Sequence, residues 1–150
     1  MPTVLLASVL SALWTVAGVL DAPPSSYVLA CFGVVLTAID LRHHRLPDVL
    51  TLPLGVTLLV LEFQRLGAAL LGAVILGGAH LAVRTWRPAL MGGGDVKLAA
   101  GLGTVLALPL LLPAAILSSA VTLAVAALRR TRNVPHGPGL LAATWVLTAL

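Results

Sequence analysis

Seven apolar runs, separated by proline, glycine or charged residues, divide this chain, and the longer ones match the thickness of a bilayer. They cover residues 3–20, 27–41, 48–62, 66–84, 95–107, 109–128 and 138–150. An 18-residue helix is about 27 Å long, close to the hydrocarbon core of a membrane. The fifth and seventh runs are shorter, 13 residues each, or about 20 Å, which fits tilted helices or a thinned membrane. Only 9% of the residues are charged and 59% are hydrophobic, too few charges to cover a soluble surface. The pattern predicts an all-α polytopic membrane protein of about seven helices, formed as one membrane-embedded domain over residues 1–150, with the bilayer as its surroundings.

The first run, "MPTVLLASVLSALWTVAGVL", has no basic segment ahead of it and no clear small-x-small cleavage site. It reads as a retained N-terminal transmembrane helix and not as a signal peptide. Charge then orients the chain. Arg42 and Arg45 follow the second run, Arg84, Arg87 and Lys97 surround the end of the fourth, and Arg129, Arg130 and Arg132 follow the sixth. The alternate loops hold only Arg65. The positive-inside rule places the first group, and with it the N-terminus, in the cytoplasm. A net charge of +4 gathered on one face of a membrane does not describe a nucleic-acid-binding surface. The single cysteine, Cys31, permits no intrachain disulfide.

Five residues are acidic. Asp21 and Glu62 fall in the outer loops and read as solvated charges. Asp40, Asp48 and Asp95 fall at the cytoplasmic ends of their helices. Asp48 follows Pro47 and fits an N-cap of the third helix. Asp95 follows Gly92, Gly93 and Gly94 and fits both a cap and a functional group. Asp40 ends a helix, where the dipole disfavours a carboxylate, so capping does not explain it. An ionisable group against apolar helices is a functional candidate. Two such carboxylates at one depth can share a proton, one activating water while the other polarises a carbonyl. The glycines beside Asp95 would let a peptide backbone come close, and Lys97 would oppose a raised carboxyl pKa if it pointed inward.

Other chemistries have less behind them. "GGGDVK" lacks the phosphate-loop pattern, and the four histidines, His43, His44, His80 and His136, show no zinc-ligand spacing. His80 reads as a packed or hydrogen-bonded helix residue, Ser118 and Ser119 as packing residues. In the fourth run, Ala68 with Gly72 and Ala73 with Gly77 form small-residue pairs suited to close helix approach. A different class of protein, a small proton- or cation-coupled transporter or channel, would also use Asp40 and Asp95, but would hold them near mid-bilayer on broken helices.

Three segments together resemble a known family. "GGGDVKLAAGLG" is similar to the GxGD motif of the type IV prepilin peptidases, "AIDLRHHRLPDVLTLPL" resembles their second aspartate signature, and "NVPHGPGLLA" is similar to their closing segment. The resemblance covers about residues 27–150. It implies an aspartyl protease of the bacterial or archaeal cytoplasmic membrane, with Asp40 and Asp95 as its catalytic pair and Asp48 outside that pair. It implies cleavage of a short basic leader, after a glycine, from type IV prepilins, Flp-type prepilins or pseudopilins, with no metal and no cofactor. Larger members carry a cytoplasmic domain with paired CxxC motifs linked to N-methylation. Here the first loop is "DAPPSS" and Cys31 stands alone, so the expectation is a compact peptidase without methyltransferase activity.

Overall fold

The computed structural model describes residues 2–89, 91–131 and 134–150. Seven helices form among them: α1 Pro2–Val19, α2 Pro24–His43, α3 Asp48–Leu61, α4 Leu66–Trp86, α5 Gly93–Gly103, α6 Leu111–Arg129 and α7 Gly137–Ala149. Each matches one apolar run, and there is no strand among the described residues. The segments containing α2, α4 and α6 are long and apolar enough to cross a membrane. The surface fits that reading, because large apolar side chains such as Val74 at 70% and Leu123 at 69% face outward. Arg132 and Asn133, the one part of the cationic loop and the other part of the closing segment, lie outside the described residues.

Local rules account for the ends. Pro24 and Pro138 stand in the first turns of α2 and α7, where a missing N–H costs nothing. His44 ends α2 in the left-handed conformation, at φ 52°, and its N–H donates to the Asp40 carbonyl at 2.8 Å. Arg42 and His43 in that last turn face the negative end of the helix dipole.

Inside, leucines from six helices make one core, among them Leu36, Leu54, Leu76, Leu98, Leu111 and Leu140. The closest contact is between α4 and α5. The backbones of Gly72 and Gly103 approach so nearly that a Cβ on either would overlap the other's carbonyl oxygen. One turn further along, a Cβ at Gly77 would stand 2.8 Å from that of Ala100. Gly72, Ala73 and Gly77 of the fourth run thus serve helix packing, as expected, while Ala68 is exposed.

The fifth helix departs from expectation. It stops at Gly103 after 11 residues, about 16 Å, and residues 104–107 leave the helix although Val105 and Leu106 are buried. Backbone freed from a helix at membrane depth needs a partner. Arg65 supplies one, donating from Nη2 to the Val105 carbonyl at 2.8 Å while its Nε pairs with Glu62 at 2.5 Å. Glu62 is therefore not a solvated loop charge, and Arg65 is a structural brace.

Candidate active site

The cationic ends of the helices meet at one place. Asp40 lies in the last turn of α2 and is 4% exposed. Its Oδ2 is buried without a hydrogen-bond partner. Its electrostatic neighbours are Asp95, His44 and the Gly137 backbone N–H. Asp95 comes from a different helix. It is the third residue of α5, where its Oδ2 accepts the N–H of Gly92, the residue capping that helix, at 3.1 Å. Its two sequence-level roles therefore coincide: the carboxylate caps its helix and faces a second carboxylate.

Both aspartates line a cavity of about 200 Å³, together with His44, Arg45, Leu46, Gly92, Gly93 and Gly94. That volume holds roughly six waters, enough for a hydrolytic water and part of a peptide. None of the three glycines has a positive φ. Their role here is steric. A Cβ at Gly94 would stand 2.7 Å from that of Leu46, and one at Gly93 would stand 2.7 Å from the Arg84 guanidinium. The loop after α2 and the end of α4 thus already occupy the space beside Gly93 and Gly94.

Burial pushes the Asp95 carboxyl above the usual carboxylate range, against the pull of the Gly92 N–H and of His136 and His80. Burial also lowers His136, with the Asp95 charge acting in the opposite sense.

Two expected supports lie elsewhere. Asp48 is not the cap of α3: Pro47 holds that position and no side chain caps the helix. The Asp48 carboxylate instead pairs with Lys97 Nζ at 2.5 Å, tying the start of α3 to the start of α5. Both side chains are about half exposed, so Lys97 points to its partner at the surface and not at the aspartates.

The sequence reading passed over a histidine pair. His80 of α4 is buried, and its Nδ1 meets the Leu76 carbonyl at 2.8 Å, as expected of a hydrogen-bonded helix residue. Its ring also lies against that of His136, with centroids 5.7 Å apart. His136 Nδ1 meets Thr122 Oγ1 of α6 at 3.1 Å. The available signal was His80 itself, an ionisable side chain deep in an apolar run.

The profile of the type IV leader peptidase family matches residues 27–128, more than half of the chain and a segment containing both Asp40 and Asp95. The chain belongs to the type IV leader peptidase family. It is also 38% identical over 137 residues to a prepilin leader peptidase/N-methyltransferase of Xanthomonas campestris pv. campestris, a match covering 80% of this chain and 47% of that protein. This leader peptidase family member thus spans about half the length of that curated relative. No solved structure matches it.

Proposed function

We propose that this protein is an aspartic endopeptidase that removes the short basic leader from type IV prepilins, Flp-type prepilins or pseudopilins, with Asp40 and Asp95 as its catalytic pair. One observation carries the reading. Two carboxylates from separate helices line one cavity, and the buried Oδ2 of one has no hydrogen-bond partner. A buried acceptor left open costs about 1–3 kcal/mol unless water or substrate satisfies it.

The chemistry follows from charge. Two neighbouring carboxyls resist double ionisation and share one proton. The ionised member takes a proton from water as the water oxygen attacks the scissile carbonyl carbon. The protonated member hydrogen-bonds the carbonyl oxygen. Collapse of the tetrahedral intermediate breaks the C–N bond, and the departing nitrogen leaves with a proton from the pair. The site belongs at the cytoplasmic membrane face, with the N-terminus inside, because the cationic loops surround it. A transporter reading would want its carboxylates at mid-bilayer; Asp40 and Asp95 stand at helix ends, and the family match lends it no support.

The test is leader removal from a prepilin in lipid vesicles, followed by gel shift. Asp40→Asn and Asp95→Asn should each lose about 1,000-fold or more in rate, while Asp48→Asn keeps most activity. Wild-type processing by either of the first two variants would end the assignment. Tag accessibility in inverted and right-side-out vesicles checks the orientation, and an N-terminal tag reached only from outside would reverse it.

A further inference from the structure

The start of α7 lies against Asp40, whose carboxylate shares a cavity with Asp95. His136 and Gly137 are consecutive, Gly137 against Asp40 and His136 in electrostatic reach of Asp95. On the Asp40 side, a Cβ at Gly137 would stand 2.5 Å from Asp40 Oδ2, so only glycine lets the α7 backbone come this close. On the Asp95 side, His136 and His80 are the two imidazoles in electrostatic reach of the carboxylate.

Hydrogen bonding settles how the His136 ring is held. Thr122 Oγ1 donates its one proton to the Ser118 carbonyl at 2.9 Å. Its lone pair is then what faces His136 Nδ1 at 3.1 Å, so that nitrogen carries a hydrogen and donates. His80 is held in the same sense, because its Nδ1 meets the Leu76 carbonyl, which can only accept. Both rings therefore keep Nδ1–H engaged with protein, leaving Nε2 of His136 as the atom that gains or loses a proton. The rings lie 5.7 Å apart at a 40° tilt.

We propose that His136, clamped by Thr122 and backed by His80, is a positioning residue for Asp95, and that the His136–Gly137 step holds the two carboxylates of the pair in unequal surroundings. The idea rests on the peptidase reading and adds to it a residue beyond the family match, which ends at 128. The Gly137 N–H and the His44 side chain lie in electrostatic reach of Asp40. Asp95 accepts the Gly92 N–H and has two imidazoles in electrostatic reach. Other charged groups nearby are Arg45, which lines the cavity, and Arg84, whose guanidinium lies against Gly93. Lys97 is engaged with Asp48. Unequal surroundings assign the shared proton to one member before substrate arrives, and that division lets one carboxyl act as base while the other acts as acid.

The sign of the pH effect is fixed by charge. A proton on His136 favours ionised Asp95, so removing the imidazole raises the affinity of Asp95 for its proton and moves the acid limb of the rate profile to higher pH. Conversely, removing the Asp95 charge makes His136 harder to protonate.

Two measurements on the full chain in lipid vesicles or detergent test this together. In prepilin cleavage, His136→Phe should lower kcat about tenfold with KM changed less than about twofold, and shift the acid limb upward. His136→Gln should recover part of kcat without restoring the limb, and Thr122→Val should produce a smaller change of the same kind. In parallel, NMR titration of the imidazoles should show the His136 midpoint falling in Asp95→Asn. The proposal is overturned if His136→Phe keeps the wild-type kcat and pH profile, or if it loses activity with an unmoved profile, or if Asp95→Asn leaves the His136 titration where it was. Should the wild-type chain cleave no prepilin, the peptidase reading fails by itself. The titration then decides the His136–Asp95 coupling alone.

Discussion

Asp95 stands on the most closely packed part of the molecule, and Asp40 on a helix with one open flank. Below Asp95, α5 meets α4 with Gly72 against Gly103 and Gly77 against Ala100, leaving no room for a further atom. Beside Asp40, the other flank of α2 borders an apolar cleft of about 620 Å³ between α1, α2 and α7, lined by Leu6, Val9, Ala38, Leu41 and Leu141 among others. Close packing transmits strain and resists change; a loosely filled flank permits small shifts of a helix. One carboxylate therefore stands on a tightly seated helix and the other on a helix with free space beside it, an arrangement that would suit the proposed peptidase pair.

The largest effect should come from breaking the close side. Gly72→Leu places a side chain into the Gly103 backbone and should cost at least about 3 kcal/mol, read as loss of folded protein in detergent unfolding. If Gly72→Leu unfolds like wild type, α4 and α5 are not seated as described. Next comes Gly137→Ala, which pushes a methyl group at Asp40 Oδ2. We expect cleavage to fall about ten- to a hundredfold with a modest loss of stability, and an unchanged rate would show that α2 yields freely. The raised Asp95 carboxyl adds a pH signature. The ionised form is lost as pH falls through the raised value, so the acid limb of cleavage should lie above the ordinary carboxylate value of about 4. A limb at or below that value would mean that the burial is not felt. Filling the open flank with Ala38→Leu should change unfolding by less than about 1 kcal/mol, since the cleft can take the larger side chain. The smallest effect belongs to Lys97→Ala. A half-exposed ion pair contributes roughly 0–1 kcal/mol, and the rate should stay within about threefold of wild type; a loss near that of Asp95→Asn would put Lys97 in the site after all.

The seven helices could be read in advance because lipid leaves the backbone few alternatives, and the runs end at proline, glycine or charge. The break after Gly103 could not. Val105 and Leu106 are as apolar as the helix before them, and what releases them is Arg65, some 40 positions away. Asp40 and Asp95 were legible as carboxylates too costly to leave idle in an oily chain, and the three motif segments tied them together. Asp48 misled because a carboxylate after proline looks like a cap, whereas its partner Lys97 lies 49 positions on. Of the histidine pair only His80 has a local signature, an ionisable side chain inside an apolar run. His80 and His136 come together only through the packing of α4, α6 and α7, and Thr122 looks like any other small polar residue on a membrane helix.

Arg65 bears on how such chains are oriented during biosynthesis. Under the proposed orientation, the emerging polypeptide would present it as a bare positive charge on the translocated side, an argument against the topology that the other cations favour. In the finished protein that guanidinium is spoken for twice, by Glu62 and by the Val105 carbonyl. Lysine would carry the same charge but has no fork with which to hold both partners. A charge tally used to orient related chains should therefore discount an arginine that reaches a buried carbonyl. With Arg65 set aside, every other described cation lies at the end of the molecule that holds the aspartates.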